Sequence, residues 1–316
     1  MSDDTASQTP TSTPTTFVID AGETDRLDRV VARRFAGASR KRLDELFAAG
    51  AVRVDGKLAR KGDRARPGTT VELAQPPATA DALRVVADPA AAERLTILHV
   101  DDELIVVAKP AGMPSQPLRA GEVGTAASGI VARYPECADV ADDPRDGGLV
   151  HRLDIGTSGA LIAARTRDGW QRLRAAFGGG RVDKTYLALT EAVPMGRGCD
   201  EPLAQRGKRV VVDHSEGLEA STTWEVEGRY GERRLLRCHA TTGRMHQIRV
   251  HLATCGAPIV GDALYGGAPY PGLIEFFLHA AEVRIPTAAG TTLTVVAPMP
   301  EDRAAVIAEL AAASAG

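Results

Sequence analysis

Aromatic residues make up only 4% of this 316-residue chain, so aliphatic side chains must build its core. Cysteine is scarce too. The four present, Cys137, Cys199, Cys238 and Cys255, form no C-x-x-C pair, which argues against a zinc ribbon or disulfide framework and suits reduced thiols in a cytosol. The longest apolar runs, such as Leu104–Ala108 and Ala160–Ala164, are far too short to span a bilayer. The N-terminal stretch carries acids and polar residues where a signal peptide needs basic residues and an apolar segment. No G-x-G-x-x-G and no G-x-x-x-x-G-K-[ST] occurs, so nucleotide-cofactor binding has no motif behind it. His239, His246, His251 and His279 lack the H-x-x-x-H spacing of a helical zinc site. We expect a soluble, cytoplasmic protein with no cofactor, no metal and no membrane partner.

What is present is ordinary for a folded chain: 44% hydrophobic and 25% charged residues. The net charge of −3 is less ordinary in its distribution. Thirteen basic residues stand against five acids between Arg26 and Arg66, a local excess of eight that leaves the rest of the chain at −11. Such asymmetry is the footprint of a nucleic-acid contact, although a solvated helix face is the commoner meaning of a charge run.

Composition divides the chain into a Ser/Thr/Pro-rich tail over 1–22, a small unit over 23–75, a linker over 76–93 and a large region over 94–316. In the small unit, Leu27, Val30 and Val31 recur at helical spacing. Ser39 can cap a second helix, Arg40–Ala49, with Gly50 as its stop. Asp55-Gly56 between alternating apolar positions signals a hairpin, and Thr70–Leu73 reads as a closing strand. In the large region, strands are expected near 95–100, 104–109, 160–165, 184–190, 221–227, 233–240, 278–285 and 291–297. Helices are expected near 167–177, 244–254 and 301–313. Strands outnumber helices without alternating with them. An α+β fold with a mixed, largely antiparallel sheet follows.

Two stretches carry chemistry. In His151–Gly159 (HRLDIGTSG), Arg152 and Asp154 share a face of an extended segment, and Gly156 and Gly159 allow a sharp turn. Asp154 there is a nucleophile, a base, or a carboxylate that merely stabilises its turn. In Thr241–His251 (TTGRMHQIRVH), Thr241 or Thr242 can cap a helix whose apolar stripe is Met245, Ile248 and Leu252. Arg249 lies at the edge of that stripe, and a partly buried Arg needs a carboxylate partner.

The HRLDIGTSG run resembles the signature of the RluA-type pseudouridine synthases. The resemblance extends through Lys109-Pro110-Ala111-Gly112, Lys184–Ala188 (KTYLA), TGRMHQIRVH, Pro258–Asp262 and Leu278-His279-Ala280, and covers most of the chain from Arg26 to Pro298. Two places depart from it. Relatives usually carry His-Pro after the first of these turns, where this chain has Met113-Pro114-Ser115-Gln116-Pro117, and the 137–147 loop is acidic and idiosyncratic. The run from RLDRVVARRF to PGTTVEL resembles a small RNA-binding module of the ribosomal-protein S-four type, with Arg40, Lys41, Arg42 and Lys57 at the matching basic positions.

The resemblance implies isomerisation of uridine to pseudouridine within structured RNA, without a cofactor. Large-subunit ribosomal RNA is the favoured substrate; transfer RNA, or a silent RNA-binding assembly factor, is the alternative. No DNA partner is expected, and a monomer is. By similarity, Asp154 is the catalytic carboxylate, Arg249 its ionic partner and Tyr186 the ring that stacks on the target base. Arg152 fills the gap left by a flipped nucleotide, and Lys109, Thr157, Arg244, His246 and Gln247 surround the substrate.

Overall fold

The structure, a computed structural model, describes residues 14–35, 40–74 and 83–315. The expected Ser39 cap and residues 76–82 of the expected linker lie outside these residues. The chain divides between Arg84 and Val85 into two compact units.

In the smaller unit the elements are β1 (Thr15–Val18), α1 (Leu27–Arg34), α2 (Arg40–Ala48), β2 (Val52–Val54), β3 (Lys57–Leu58) and β4 (Thr70–Leu73). The strands form an antiparallel sheet in the order β1-β4-β2-β3. Leu27, Val30 and Val31 of α1 and Leu43, Leu46 and Phe47 of α2 meet Val52, Val71 and Leu73 of the sheet in one apolar cluster. Gly50 ends α2 at φ +67, where Ala51 N–H closes on Leu46 O at 2.9 Å. Asp55 and Gly56 both take positive φ, +47 and +76, as the two-residue hairpin turn requires.

The tail is corrected here. Residues 15–18, assigned to it for their polar composition, pair with β4 as an edge strand. Ile19, next in line, is almost fully buried in this unit's core. Phe17 and Ile19 are the alternating apolar pair that the Ser/Thr count concealed.

The larger unit begins with α3 (Pro89–Glu93), β5 (Thr96–Val100), β6 (Leu104–Lys109), α4 (Ala126–Arg133) and a 3-10 turn at Pro135–Asp139. It continues with β7 (Ser158–Ala164), α5 (Arg167–Gly178), β8 (Asp183–Thr190), β9 (Gly198–Cys199), β10 (Leu203–Arg206), β11 (Arg209–Val212), β12 (Thr222–Tyr230) and β13 (Arg233–Ala240). α6 (Gln247–Thr254), β14 (Leu278–Pro286), β15 (Thr292–Val296) and α7 (Glu301–Ala315) complete it. Nine strands form one sheet, ordered β5-β6-β7-β14-β8-β13-β12-β9 with β15 paired to the far half of β14. Among the described strands of this sheet, β7 with β14 is the parallel pair; the others run antiparallel. The mixed, largely antiparallel α+β fold expected from the sequence is thus what the chain adopts.

All seven residues of β7 are buried, so both faces are covered. Leu161 and Ala163 face the cluster that includes α4, and Ala160, Ile162 and Ala164 face Trp170 and Leu173 of α5. At Gly159, φ is +116 and a Cβ would stand 2.2 Å from Ala280 O, so the parallel approach of β7 to β14 demands glycine. That approach carries the HRLDIGTS loop, which feeds β7, alongside the start of β14.

Two further expectations change. Residues 85–93 belong to the larger unit instead of a linker. Val85 N–H bonds Pro144 O, and the Asp88 carboxylate caps α3 at Ala90 N–H while reaching Gly124 N–H. The helix expected from 244 starts at Gln247, because His246 sits in the left-handed region at φ +54. Neither Thr241 nor Thr242 caps it, and Met245, which precedes the helix, is exposed instead of joining its stripe. No helix among the described residues is long and apolar enough to cross a membrane.

Candidate active site

Asp154 lies in the loop that enters β7, and Arg249 projects from α6. Arg249 Nη1 donates to Asp154 Oδ2 at 3.0 Å. The rest of its fork is occupied by Asp262, through Nε to Oδ2 at 2.7 Å and Nη2 to Oδ1 at 2.9 Å. Asp262 is only 2% exposed. A bidentate carboxylate fixes a guanidinium in orientation as well as in charge. Burial works against the charge of Arg249, but the bonds to Asp262 and then Asp154 hold its pKa above the ordinary value. The guanidinium also rests 4.2 Å from the centroid of the Phe276 ring and 5.0 Å from that of Tyr265.

The loop around Asp154 is pinned on both sides. Ser115 Oγ donates to Leu153 O at 2.7 Å and accepts from Leu153 N–H at 3.0 Å. Lys109 Nζ donates to Ile155 O, Met113 O and Pro110 O, and Gly112 N–H also bonds Ile155 O. Thr157 N–H returns to Asp154 O at 3.1 Å. These bonds fix the peptide units on either side of the carboxylate.

A cleft opens over this loop. Arg152, Asp154, Thr157, Tyr186, Arg244, His246, Gln247 and Arg249 all line it, beside the apolar Leu153, Ala240, Ile248 and Leu278. The structure therefore brings together eight of the nine residues that the sequence places around the reaction. Lys109 is the exception. It is 1% exposed and its three protons go to backbone carbonyls, so it holds the loop from beneath instead of facing the cleft. Burial pushes its pKa down to about 7, against the pull of the Asp154 charge.

The others divide by what their polar atoms do. Gln247 is fully engaged: Oε1 accepts from Thr242 Oγ1 and Arg244 N–H, and Nε2 donates to Ser221 O and Thr222 Oγ1. It shapes the turn before α6 and presents its stem to the cleft. Arg244 is exposed, with Nε donating to Glu219 O. Arg152 is exposed at the rim. Tyr186, on β8, has its pKa raised by burial and then by the charge of Asp154, so its phenol keeps its proton.

His246 Nε2 stands 3.9 Å from Asp154 Oδ2, and Nδ1 lies 2.8 Å from the Tyr265 hydroxyl. That hydroxyl also accepts from Val210 N–H, so Tyr265 fixes the ring with Nε2 turned toward Asp154. Burial pushes the His246 pKa down, with the Asp154 charge opposing. Three other histidines are structural. His151 Nε2 accepts from Ile162 N–H, His251 bridges Thr222 Oγ1 and Glu201 O, and His279 bridges Ser158 Oγ and Ala297 O.

Asp262, Ser115, Tyr265 and Phe276 were not assigned roles from the sequence. A signal existed for Asp262: it closes the Pro258–Asp262 run, and a buried Arg with three donor directions needs more than one acceptor. Ser115 lies in the segment where the chain departs from the family pattern. Tyr265 and Phe276 gave no signal, since a ring beneath a guanidinium reads as any core aromatic.

In the smaller unit, Lys57 is exposed on β3. Arg40, Lys41 and Arg42 begin α2, and their side chains lie outside the described residues. The basic excess is tempered by acids just upstream: Asp20 pairs with Arg34, and Glu23 and Asp25 with Arg33.

The family model for RNA pseudouridylate synthase matches residues 103–254, which span Asp154, Tyr186 and Arg249. A protein of Xanthomonas campestris pv. campestris named ribosomal large subunit pseudouridine synthase D is 33% identical over 319 residues, covering 96% of this chain and 94% of its own. An uncharacterized RNA pseudouridine synthase of Chloroflexus aurantiacus is 34% identical over 291 residues, 90% of each chain. Among solved structures, human RNA pseudouridylate synthase domain containing 1 matches with a TM-score of 0.52 at 26% identity, over 67% of this chain and 86% of that one. Sequence identity along nearly the whole length, a shared fold and a carboxylate clamped at the head of β7 lead to one conclusion: the chain belongs to the RluA-type RNA pseudouridine synthase family and is an isomerase.

Proposed function

We propose that this enzyme converts specific uridines of large-subunit ribosomal RNA to pseudouridine, with Asp154 as the reacting carboxylate and no cofactor. The observation that carries the reading is the Asp154 carboxylate, held in the cleft by an arginine that Asp262 orients. The name of the Xanthomonas campestris relative favours the ribosomal substrate.

Isomerisation breaks the N1–C1′ bond, turns the uracil and joins C5 to C1′, while C5 loses its hydrogen and N1 gains one. No electron or group leaves the RNA. Oδ2 of Asp154 is engaged by Arg249, so Oδ1 is the oxygen proposed to act at the sugar, by attack at C1′ or by promoting elimination. Arg249 stabilises the carboxylate form before and after that step. Tyr186 stacks on the base, and its phenol relays the C5 hydrogen, accepting it as its own proton passes to water. The apolar Leu153, Ile248 and Leu278 limit water, which would otherwise capture the sugar and release uracil. Arg152, at the rim, takes the place of the flipped nucleotide and offsets part of its few kcal/mol of lost stacking. Arg244 contacts the backbone of the target strand. Arg40, Lys41, Arg42 and Lys57 of the smaller unit grip structured RNA away from the reacting base. A ribosomal substrate places the enzyme in the cytoplasm.

Mapping pseudouridine across cellular RNA with and without the gene tests the substrate. The expected result is one or more large-subunit positions that stay uridine when the gene is absent. Conversion lost from transfer RNA alone would refute the ribosomal assignment.

A further inference from the structure

We propose that Arg303 is a positioning residue for the Asp154–Arg249 pair, a role that rests on reading Asp154 as the reacting carboxylate. Arg303 lies in α7, well beyond residues 103–254 where the family model matches. Its side chain is 0% exposed. Nη2 donates to Gly156 O at 2.9 Å and to Phe276 O at 2.7 Å, and Nη1 donates to Asp302 Oδ2 at 2.9 Å. Nε has no partner.

A buried guanidinium is an expensive way to fill space, because desolvation opposes its charge and an unpaired N–H adds to the cost. A Leu or Met would fill the same volume without either penalty. What the cation does that they cannot is join two segments through one nitrogen, Nη2, while Nη1 is held by Asp302. Gly156 follows Asp154 by two residues on the loop that bears the carboxylate. Phe276 is the ring on which the Arg249 guanidinium rests. Arg303 therefore ties the carboxylate's loop to the shelf of its ionic partner. The join is tight: a Cβ at Gly156 would stand 2.5 Å from the Phe276 ring. Asp302 extends the same anchor by accepting from Ile274 N–H at 3.2 Å, two residues before Phe276. Lys109 and Ser115 hold the loop from the β6 side, so Arg303 supplies the hold from the β14 side.

The test compares Arg303→Met, Arg303→Lys and Leu310→Ala in the full chain. Leu310 is a core residue of the same helix with no bond to the loop. RNA affinity, melting temperature and the single-turnover rate of tritium release from RNA tritiated at uridine C5 are measured for each. Displacing a reacting group by about 1 Å costs roughly 100-fold in rate, so Arg303→Met is expected to slow that turnover by ~10- to 100-fold with RNA affinity unchanged. Arg303→Lys keeps the charge without the fork and falls between wild type and Arg303→Met; it carries the test alone should Arg303→Met not fold. Leu310→Ala is expected to melt earlier and to react at the wild-type rate while folded. Wild-type turnover in both Arg303 variants, or equal slowing in Leu310→Ala, would overturn the positioning role. Wild-type turnover in Asp154→Asn would instead overturn the reading on which it rests.

Discussion

Replacing Arg249 by lysine isolates geometry from charge at the centre of the site. The guanidinium makes three charge-assisted bonds in three directions, two to Asp262 and one to Asp154. An ammonium is a point charge that cannot reproduce a planar fork. Asp262 is the more buried carboxylate and retains the lysine, so the bond to Asp154 is the one lost. A hydrogen bond between charged partners is worth about 1.5–3 kcal/mol, or roughly 10- to 150-fold in rate if it acts in the transition state. Stability falls by a similar ~1.5–3 kcal/mol through the second Asp262 contact. Single-turnover tritium release and thermal unfolding separate these losses. An Arg249→Lys enzyme that melts earlier yet reacts as fast as wild type would refute the reasoning, because Arg249 would then be a structural partner of Asp262 alone.

Further outcomes follow from neighbouring groups. Ser115→Ala leaves the N–H and C=O of Leu153 buried without their shared partner, at a cost of about 1–3 kcal/mol; turnover should fall while RNA affinity holds, as single-turnover rates and filter binding will report. Burial pushes the His151 pKa down to about 3 from its ordinary 6.5, so between those values the unfolded chain binds the extra proton. Its contribution to stability is complete above pH 6.5 and is lost as pH falls toward 3, by up to ~5 kcal/mol at about 1.4 per unit. His251 and His279 shift in the same direction. Unfolding followed against pH should show this loss, and His151→Gln should make it shallower. Lys57→Gln should reduce the salt slope of RNA binding by about 0.7–0.9 if Lys57 contacts one phosphate; an unchanged slope would remove Lys57 from the interface.

The parts of the fold legible in the sequence are those governed by local rules. Asp55-Gly56 and Gly50 took the positive φ values their positions demand. Eight strands of the larger unit fell where alternating or wholly apolar runs placed them, whereas the short β9, β10 and β11 were not expected. What escaped notice was set by distant partners. α3 is held by Asp88, whose carboxylate serves both its cap and Gly124. The start of α6 is moved to Gln247 by a side-chain network through Thr242 and Ser221. In the site, Asp154, Tyr186 and Arg249 stood out through the family motifs that carry them, while residue type alone left Asp154 open between a reacting and a turn-stabilising carboxylate. Lys109 was placed near substrate by the family resemblance alone; three carbonyls beneath the loop claim it instead. Phe276 and Arg303 meet the site through contacts made only in the fold, and their spacing in sequence carries no trace of that; Asp262 left a trace only in the run it closes.

The central claim is that Asp154 drives isomerisation, and release of the C5 hydrogen reports it directly. RNA tritiated at uridine C5, isolated from cells lacking the gene, is incubated with wild-type enzyme and with Asp154→Asn. The account predicts tritium release to a fixed stoichiometry per RNA with wild type, no free uracil, and no release by a folded Asp154→Asn. Release by Asp154→Asn at the wild-type rate, or none by wild type from any cellular RNA, would contradict it.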